Sequence, residues 1–452
     1  MGLSKLIYKM YLAVINIIGK ASCRLSPGAR TVLMDLSISA IIFITILHYC
    51  NEHIKKILNF DNISLTVSIL MLVLLLAVSI DRPFKLRKVT VSRLFVFGWY
   101  LCFGVMLISS LFHHVNDAYR WWSILSLTIY PMFAIVWHER GDFHVLCGRL
   151  AICLVAWSFI FFVMNLAMDP FISNYLYVDQ LGPDFVGMMG HPNSNGLVCM
   201  SFFTAALYLL LSDNRYTLVS ATSLALCIAF TDISMCRTAQ LAMILEAIVA
   251  AIIYLRHRGC YKVRWTLKIV LAAFIAAALV TVFAGKVLMY VDRMDLNAYA
   301  ADEYEEMYEY VQSHETLSKI NAVSSDRIVL WGAYLHRVSL FGHGKPSKPL
   351  FKGVEASKWA HNNAIDIWYA SGFAAFVGYI IWLACLAVFI LRCMRKRSGF
   401  RPEYLLIALA YLAYILEAML EITLYPMLTG VVFLAFMCMM PAAITDARSP
   451  RL

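Results

Sequence analysis

Long apolar stretches alternate with short polar segments along almost the whole chain. Many of the stretches run for about 20 residues, which an α-helix needs to cross a hydrocarbon core of about 30 Å. Because they are continuous and not alternating, they favour a helical bundle over a barrel of alternating strands. The pattern predicts an all-α integral membrane protein with about twelve spans: 31–50, 63–80, 93–112, 120–138, 147–168, 194–212, 216–232, 237–255, 267–285, 366–392, 402–421 and 425–445.

Two long polar segments interrupt this pattern. Residues 169–193 contain no Lys or Arg and end in GMMGHPNSNG, and residues 286–365 form a loop of about 80 residues. Loops of this length commonly serve as lids or binding surfaces. We therefore divide the chain into an N-terminal bundle of about nine spans (1–285), a large loop (286–365) and three C-terminal spans (366–452).

Composition agrees with membrane insertion. The 452 residues are 61% hydrophobic and 15% charged, whereas soluble domains are about a quarter charged. The net charge of +10 follows from the basic residues that crowd cytoplasmic loops, and we expect no nucleic-acid partner.

The distribution of Lys and Arg predicts the orientation. With the N-terminus inside, 25 of the 38 basic residues fall on the cytoplasmic side, and nine of the other 13 lie in the large loop. Long loops escape the positive-inside bias. We predict a multi-pass protein of the cytoplasmic membrane with both termini inside. Residues 1–20 are predicted to form an amphipathic helix on the inner surface.

Cofactor and metal chemistry find little support in the sequence. The 12 Cys contain no CxxC pair, and no P-loop, dinucleotide-binding glycine pattern or nucleophile elbow occurs. His113, His114 and Asp117 form one loose cluster, and the acidic run 302–309 could attract calcium. Neither has a recognised ligand spacing, and solvated polar loops explain both better. We predict no cofactor and no metal.

Three groups predicted to lie on the outer side are the leading catalytic candidates: Arg237, Arg327 and His361. Arg237 begins a span, and Arg327 lies near a predicted helix start with Ser324 or Ser325 as the N-cap. Each therefore adds a cation near a helix N-terminus, which suits a phosphate. His361 can accept a proton near neutral pH. Alone, Arg237 could equally be a snorkelling side chain, Arg327 a partner of Asp326, and His361 a structural polar group.

Polar residues beside these candidates are predicted to bind substrate. Asn362 and Asn363 can orient His361 or hydrogen-bond a sugar. In GHPNSNG, His191 lies near Asn193 and Asn195, although the same residues favour a turn before a span. The full predicted set of substrate contacts is His191, Asn193, Asn195, Asn362, Asn363 and Trp331.

Acidic residues inside predicted spans are a separate feature. Glu246 lies in mid-span, and Glu417 and Glu421 are one turn apart. Buried ionisable groups are costly and mark a pathway or a paired site, with a structural pair equally possible. Asp232 and Asp366 lie nearer the outer side, where they could assist a base.

Together these segments resemble the O-antigen ligase and polymerase superfamily. The resemblance rests on MCRTAQLAM, DRIVLWGAYLHRVSLFGHG and HNNAIDIWYASG, in that order, and on GHPNSNG before the sixth span. It is firmest over residues 185–375, and the first 180 residues contribute only topology. Asn362 stands where many ligases have Ser, and the acidic run has no equivalent in the pattern.

The resemblance implies a metal-independent glycosyltransferase acting at the outer face of the membrane. Its donor would be a polyprenyl diphosphate-linked oligosaccharide. Arg237 and Arg327 would bind the diphosphate, and His361 would deprotonate the acceptor hydroxyl. Membrane lipid would surround the bundle, and a flippase and a chain-length regulator are possible partners.

Three functions stay open at this point. A polymerase of repeat units for O-antigen, capsule or exopolysaccharide is favoured over a ligase that transfers glycan to a lipid or protein acceptor. A lipid-linked oligosaccharide flippase is the alternative from another class. Flippases usually have short loops and two related halves, whereas this chain has one dominant loop and no visible duplication.

Overall fold

A computed structural model describes most of the chain. The described residues are 3–50, 60–84, 92–112, 117–167, 176–179, 182–185, 188–189, 192–234, 236–257, 327–343, 350–351, 354–355, 360–395 and 400–420.

Helices dominate this part of the protein. They are α1 (Leu3–Ser22), α2 (Pro27–Tyr49), α3 (Phe60–Ser79), α4 (Arg93–Phe112), α5 (Asp117–Leu127), α6 (Ile129–Arg140), α7 (Phe143–Ala167), α8 (Pro192–Ser212), α9 (Thr217–Ile233), α10 (Arg237–Arg256), α11 (Arg327–Leu335), α12 (Asn363–Ser371), α13 (Phe373–Cys393) and α14 (Glu403–Leu420). A 3₁₀ turn, Asn214–Tyr216, precedes α9.

Two small antiparallel hairpins accompany the helices. Strand β1 (Leu176–Asp179) pairs with β2 (Gly182–Phe185), with Leu176 opposite Phe185, and β3 (Leu350–Phe351) pairs with β4 (Val354–Glu355). Both lie in the segments that the sequence predicts as long loops.

The predicted membrane spans are confirmed in part. Seven described helices are long and apolar enough to cross a membrane: α2, α4, α7, α8, α10, α13 and α14. Two predicted spans, 63–80 and 216–232, correspond to shorter apolar helical segments, Thr66–Ser79 within α3 and Thr217–Ile233, which is α9. The predicted spans 267–285 and 425–445 lie outside the described residues.

One predicted span, 120–138, is two helices. Helix α5 ends at Leu127, and α6 begins at Ile129. The cause is Pro131, which has no N–H for the carbonyl of Leu127 and would clash with it in a continuous helix. That carbonyl accepts a hydrogen bond from the Tyr11 hydroxyl of α1.

A second predicted span, 366–392, also divides. Gly372, at φ 91° and ψ 174°, separates α12 from α13. Helix α12 has nine residues, too few to span a membrane. The span therefore begins at Phe373, seven residues later than predicted, and α12 is a separate helix that precedes it.

Helix α8 is the centre of the bundle. All of its apolar window is buried, and α7, α9, α10 and α14 pack around it. A helix that is apolar on every face is expected to be enclosed by others. In addition, α13 packs on α4, and α14 packs on α8 and α10. The helices on both sides of the large loop therefore form one bundle.

The two ends of this bundle differ in charge. His257, just after α10, lies with its Nε2 3.0 Å from the carbonyl oxygen of Cys393 and stacks on Phe400, so α10 and α13 end where α14 begins. We call this the basic end, because Arg30, Arg82, Arg93, Arg140, Arg215, Arg256, Arg392 and Arg401 lie there. The opposite end, where α10 begins and α14 finishes, is the His361 end.

Helix α1 packs at the basic end. Asn16 exchanges two hydrogen bonds with the backbone of Phe84, and Ser22 donates to the carbonyl of Ile80. Its opposite face exposes an apolar row formed by Leu6, Met10, Val14 and Ile17. This amphipathic arrangement suits a helix at a membrane surface.

Candidate active site at the His361 end of the bundle

Arg237 is the first residue of α10, and its side chain is exposed. The residue before it, Cys236, is the N-cap and makes no side-chain capping hydrogen bond. A helix N-terminus and a guanidinium therefore occur together at this position. Such a combination favours an anion.

The start of α8 is packed tightly against the start of α10. A Cβ on Gly196 would lie 2.4 Å from the Cys236 sulfur, and the Cys236 thiol lies 3.8 Å from the carbonyl oxygen of Asn193. The predicted substrate contact Asn193 is thus next to Arg237 in space, and it is partly exposed. Asn195 is fully buried, so its side chain faces the bundle.

Arg327 is tied to the segment of His361 through Trp331. Arg327 begins α11 and Trp331 follows one turn later, so the two side chains lie on one face. The Trp331 indole N–H donates to the carbonyl of Ala360 at 2.8 Å. Ala360 precedes His361 directly. Trp331 therefore holds the helix that begins with Arg327 against the backbone that carries the candidate base.

An apolar cluster supports this contact. Tyr334, Ala360, Ile365 and Tyr369 are buried together, and Trp331 packs on them. The Tyr334 and Tyr369 rings are 5.3 Å apart and nearly perpendicular. Helix α11, from the large loop, is thereby fixed on α12, which leads into the membrane.

His361 has an unusual backbone conformation. Its φ is +50°, and within the described ranges it is the single non-glycine residue with a positive φ. Such a conformation is uncommon for a residue with a side chain and is kept where the surroundings impose it. His361 is partly exposed, and Asn362 after it begins the capping of α12.

The two asparagines after His361 have partners inside the protein. The Asn362 side-chain oxygen accepts from the N–H groups of Ala364 and Ile365, and its amide donates to the carbonyl of Met419 at 3.2 Å. Asn363 is buried and hydrogen-bonds Tyr379 and Tyr414. A sugar contact by either amide would require these bonds to be exchanged, so both position α12 against α13 and α14.

Two glycines join the large loop to the start of α13. Gly342 and Gly372 both have positive φ, and each faces the backbone of the other's segment. The N–H of His343 donates to the carbonyl of Tyr369, and the N–H of Phe373 donates to that of Leu340. The loop therefore crosses the α12–α13 junction at backbone contact.

Asp366 is a buried acidic residue at this end. It is 1% exposed, and neither of its carboxylate oxygens has a hydrogen-bond partner among the described residues. Burial raises the pKa of Asp366 from 3.8 to about 8. At neutral pH the folded protein therefore holds this carboxyl in its neutral form.

Replacing Asp366 with Asn should raise stability in a pH-dependent way. The folded pKa exceeds the unfolded one, so the wild-type carboxyl contributes full stability below pH 3.8, and that contribution is lost as the pH rises to about 8. We expect the thermal unfolding temperature of Asp366→Asn, relative to wild type, to rise by several degrees between mildly acidic and mildly alkaline pH. The measurement is thermal unfolding in detergent across that range.

A control for this series is Asp213→Asn. The Asp213 carboxylate pairs with the exposed guanidinium of Arg215 at 2.7 Å, a surface pair of small energetic value. The difference in thermal unfolding temperature between Asp213→Asn and wild type should not change with pH. A flat difference for Asp366→Asn as well would mean that Asp366 ionises in the folded protein much as it does in water.

The structure thus brings several predicted site residues to one end of the bundle. Arg327, Trp331 and His361 are joined through Ala360, and Arg237 with Asn193 begins the helices beside them. Because Asn362 bonds the end of α14, and α14 packs on α10, the Arg237 helix start lies at the same end. His191, His113, His114 and the acidic run 302–309 lie outside the described residues.

Sequence reasoning missed two features of this end. The close contact of Gly196 with Cys236 could not be predicted from the sequence, because Cys236 is one of many small apolar residues in the spans. The role of Gly342 was present only as part of the SLFGHG motif, and its contact with Gly372 depends on tertiary structure.

The chain matches no protein-family model, and no curated protein resembles it significantly. The geometry and chemistry of the His361 end therefore carry the functional argument.

Proposed function

We propose that the protein is a polymerase of polyprenyl diphosphate-linked oligosaccharide repeat units, acting at the His361 end of the bundle. The observation that supports this most is the contact between Trp331 and Ala360, which joins the helix that carries Arg327 to a candidate base in a constrained backbone conformation. The proposed location is the cytoplasmic membrane, with the basic end inside and the His361 end outside.

In this proposal the two arginines bind the donor diphosphate. Arg237 acts with the N-terminus of α10, and Arg327 is the second cation, on α11. Negative charge grows on the diphosphate as the glycosidic bond to it breaks. Cations fixed in place before the reaction stabilise that charge without reorganisation.

His361 is the proposed general base. It takes the proton of the acceptor hydroxyl while that oxygen bonds to the anomeric carbon and the polyprenyl diphosphate leaves. A one-step reaction of this kind inverts the anomeric centre and needs no protein nucleophile. The fixed backbone around His361 would hold its imidazole at the acceptor and reduce the entropy lost on reaching the transition state.

The large loop and the bundle have complementary roles in the proposal. Exposed apolar side chains such as Leu36, Phe97 and Val163 face the surrounding lipid, which is also where a polyprenyl chain would lie. Helix α11, fixed on α12, covers the site from outside and excludes water. A flippase would supply the donor, and a chain-length regulator is a proposed partner.

The glycans of cells that lack this protein provide the test. Lipid-linked intermediates are separated by gel and identified by mass spectrometry. The side of the membrane on which they lie is assigned by their accessibility to an added glycosidase. Single repeat units on the lipid carrier at the outer face are the expected result. Full-length polymer retained on the carrier would replace the proposal with a ligase, and units confined to the inner face would replace it with a flippase.

A further inference from the structure

Glu246 is a buried carboxylic acid that the proposed reaction does not use. It lies nine residues after Arg237 in α10 and is 0% exposed. At a rise of about 1.5 Å per residue, it is roughly 14 Å below the helix start. It therefore occupies the middle of the bundle, away from the His361 end.

The hydrogen bonds of Thr204 bear on the protonation of this acid. The Thr204 hydroxyl oxygen lies 2.7 Å from Oε2 of Glu246 and 2.9 Å from the carbonyl oxygen of Met200. A threonine hydroxyl has one proton to donate. Both contacts are hydrogen bonds at once if Thr204 donates to Met200 and Glu246 donates its own carboxyl proton to Thr204.

Among the described helices, those that pack on α10 carry no cation that could balance an ionised Glu246 carboxylate. Helices α8, α9 and α14 pack on α10, and none of the three contains Lys or Arg. Arg237 and Arg256 stand at the two ends of α10 itself. The titratable groups on the packed helices are Cys199 and Tyr208 on α8, Cys227 and Asp232 on α9, and Glu403, Tyr404, Tyr411, Tyr414 and Glu417 on α14.

The second oxygen of the carboxyl points to the same state. Oε1 of Glu246 has no hydrogen-bond partner within the described part of the chain. Among the described residues an ionised carboxylate would have neither a counter-ion nor enough donors to replace its hydration, which is costly. A neutral carboxyl needs only one acceptor for its proton, and Thr204 supplies it.

We propose that Glu246 and Thr204 form a proton-binding site in the interior of the membrane bundle. In the state seen here the site is occupied: the proton is on Oε2 and is donated to the Thr204 hydroxyl. Its ligand is a proton and not a metal cation, because one carboxyl and one hydroxyl provide too few oxygens to replace a cation's water shell. The site is independent of the proposed glycosyl transfer.

Infrared spectroscopy of the purified full chain tests the site directly. The sample is kept at neutral pH in a maltoside detergent, which has no ester carbonyl. Subtracting the Glu246→Gln spectrum from that of the wild type should leave the carbonyl stretch of one protonated carboxyl, since all other acids cancel. Carboxylate bands in this difference spectrum, in place of the carbonyl band, would show that Glu246 is ionised and would overturn the proposal.

A second variant keeps the test valid if Glu246→Gln does not fold. Thr204→Val removes the acceptor, so the carbonyl band of Glu246 should persist and move to higher frequency. Thr222→Val is the matched control, because the Thr222 hydroxyl also donates to a carbonyl four residues back, Leu218, but lies on the exposed face of α9. An unmoved band in Thr204→Val would contradict the geometry.

A separate measurement tests whether the ligand of the Glu246 site is a proton or a sodium ion. The wild-type spectrum is recorded with sodium chloride and again with choline chloride as the salt. The protonated-carboxyl band should be equal in both. Its disappearance in sodium would show that the cation displaces the proton, and the site would then be a sodium site.

Discussion

Arg327→Ala is expected to abolish polymer formation while the protein accumulates normally. Arg327 begins α11, which Trp331 holds against the backbone before His361. If its guanidinium stabilises the leaving diphosphate, losing it should lower turnover by roughly 100- to 1,000-fold, as for other preorganised charge donors. The measurement is polymer length and yield from purified protein with lipid-linked repeat units, at matched protein amounts.

The matched control for Arg327→Ala is Arg337→Ala. Arg337 follows the same helix by two residues, and its side chain is exposed. Its removal changes the net charge equally and should leave turnover near wild type. Arg237→Ala is expected to behave like Arg327→Ala, and lysine at either position should remain impaired if the phosphate contact is bidentate. Long-chain polymer made by Arg327→Ala would remove Arg327 from the donor site.

Gly372→Ala should be among the most destabilising single changes in the described protein. Gly372 has φ +91°, and an added Cβ would lie 2.5 Å from the carbonyl oxygen of Leu340 and 2.7 Å from the carbonyl carbon of Phe341. Both are backbone atoms, so no side chain can rotate away. We expect a loss of about 3 kcal/mol or more, seen as a lower unfolding temperature and a smaller monodisperse fraction after purification.

Gly342→Ala tests the same junction from the loop side. Its Cβ would lie 2.5 Å from the carbonyl oxygen of Ala370. Because the two glycines share one contact, the double variant should cost less than the two single changes added. Gly104→Ala is the control: no neighbouring atom lies within 4 Å, and alanine favours the helix by about 0.5–1 kcal/mol. Equal unfolding temperatures for Gly372→Ala and Gly104→Ala would contradict the prediction.

Hydropathy predicted most helices well, because burial in lipid demands long uninterrupted apolar runs. Two predicted spans are each interrupted for local backbone reasons. Pro131 cannot supply the hydrogen bond that a continuous helix needs, and Gly372 adopts a conformation that ends α12. Both residues are visible in the sequence, but apolar character on either side concealed the breaks.

The candidate site was less accessible to sequence reasoning than the fold. The helix start at Arg237 was predicted from local signals and is present in the structure. The residues directly before Arg327 lie outside the described residues, so the helix start predicted there stays a prediction. The structure gives Asn362 and Asn363 partners within the protein, which no local pattern distinguishes from a surface amide. Cys236 and Gly196 meet only through the packing of α8 on α10, and such a fit between distant residues leaves no trace in either segment alone.

Helix α8 has a consequence for the order in which the protein loosens. Protein surrounds all of its apolar window, so its amides reach solvent only after α7, α9, α10 and α14 have moved apart. Hydrogen–deuterium exchange should therefore be slowest in α8, at a rate set by opening of the whole bundle. The exposed α1 and the short α11 can exchange through smaller openings. The exchange rate of α8 would report global unfolding, and the exchange rate of α11 would report its release from α12.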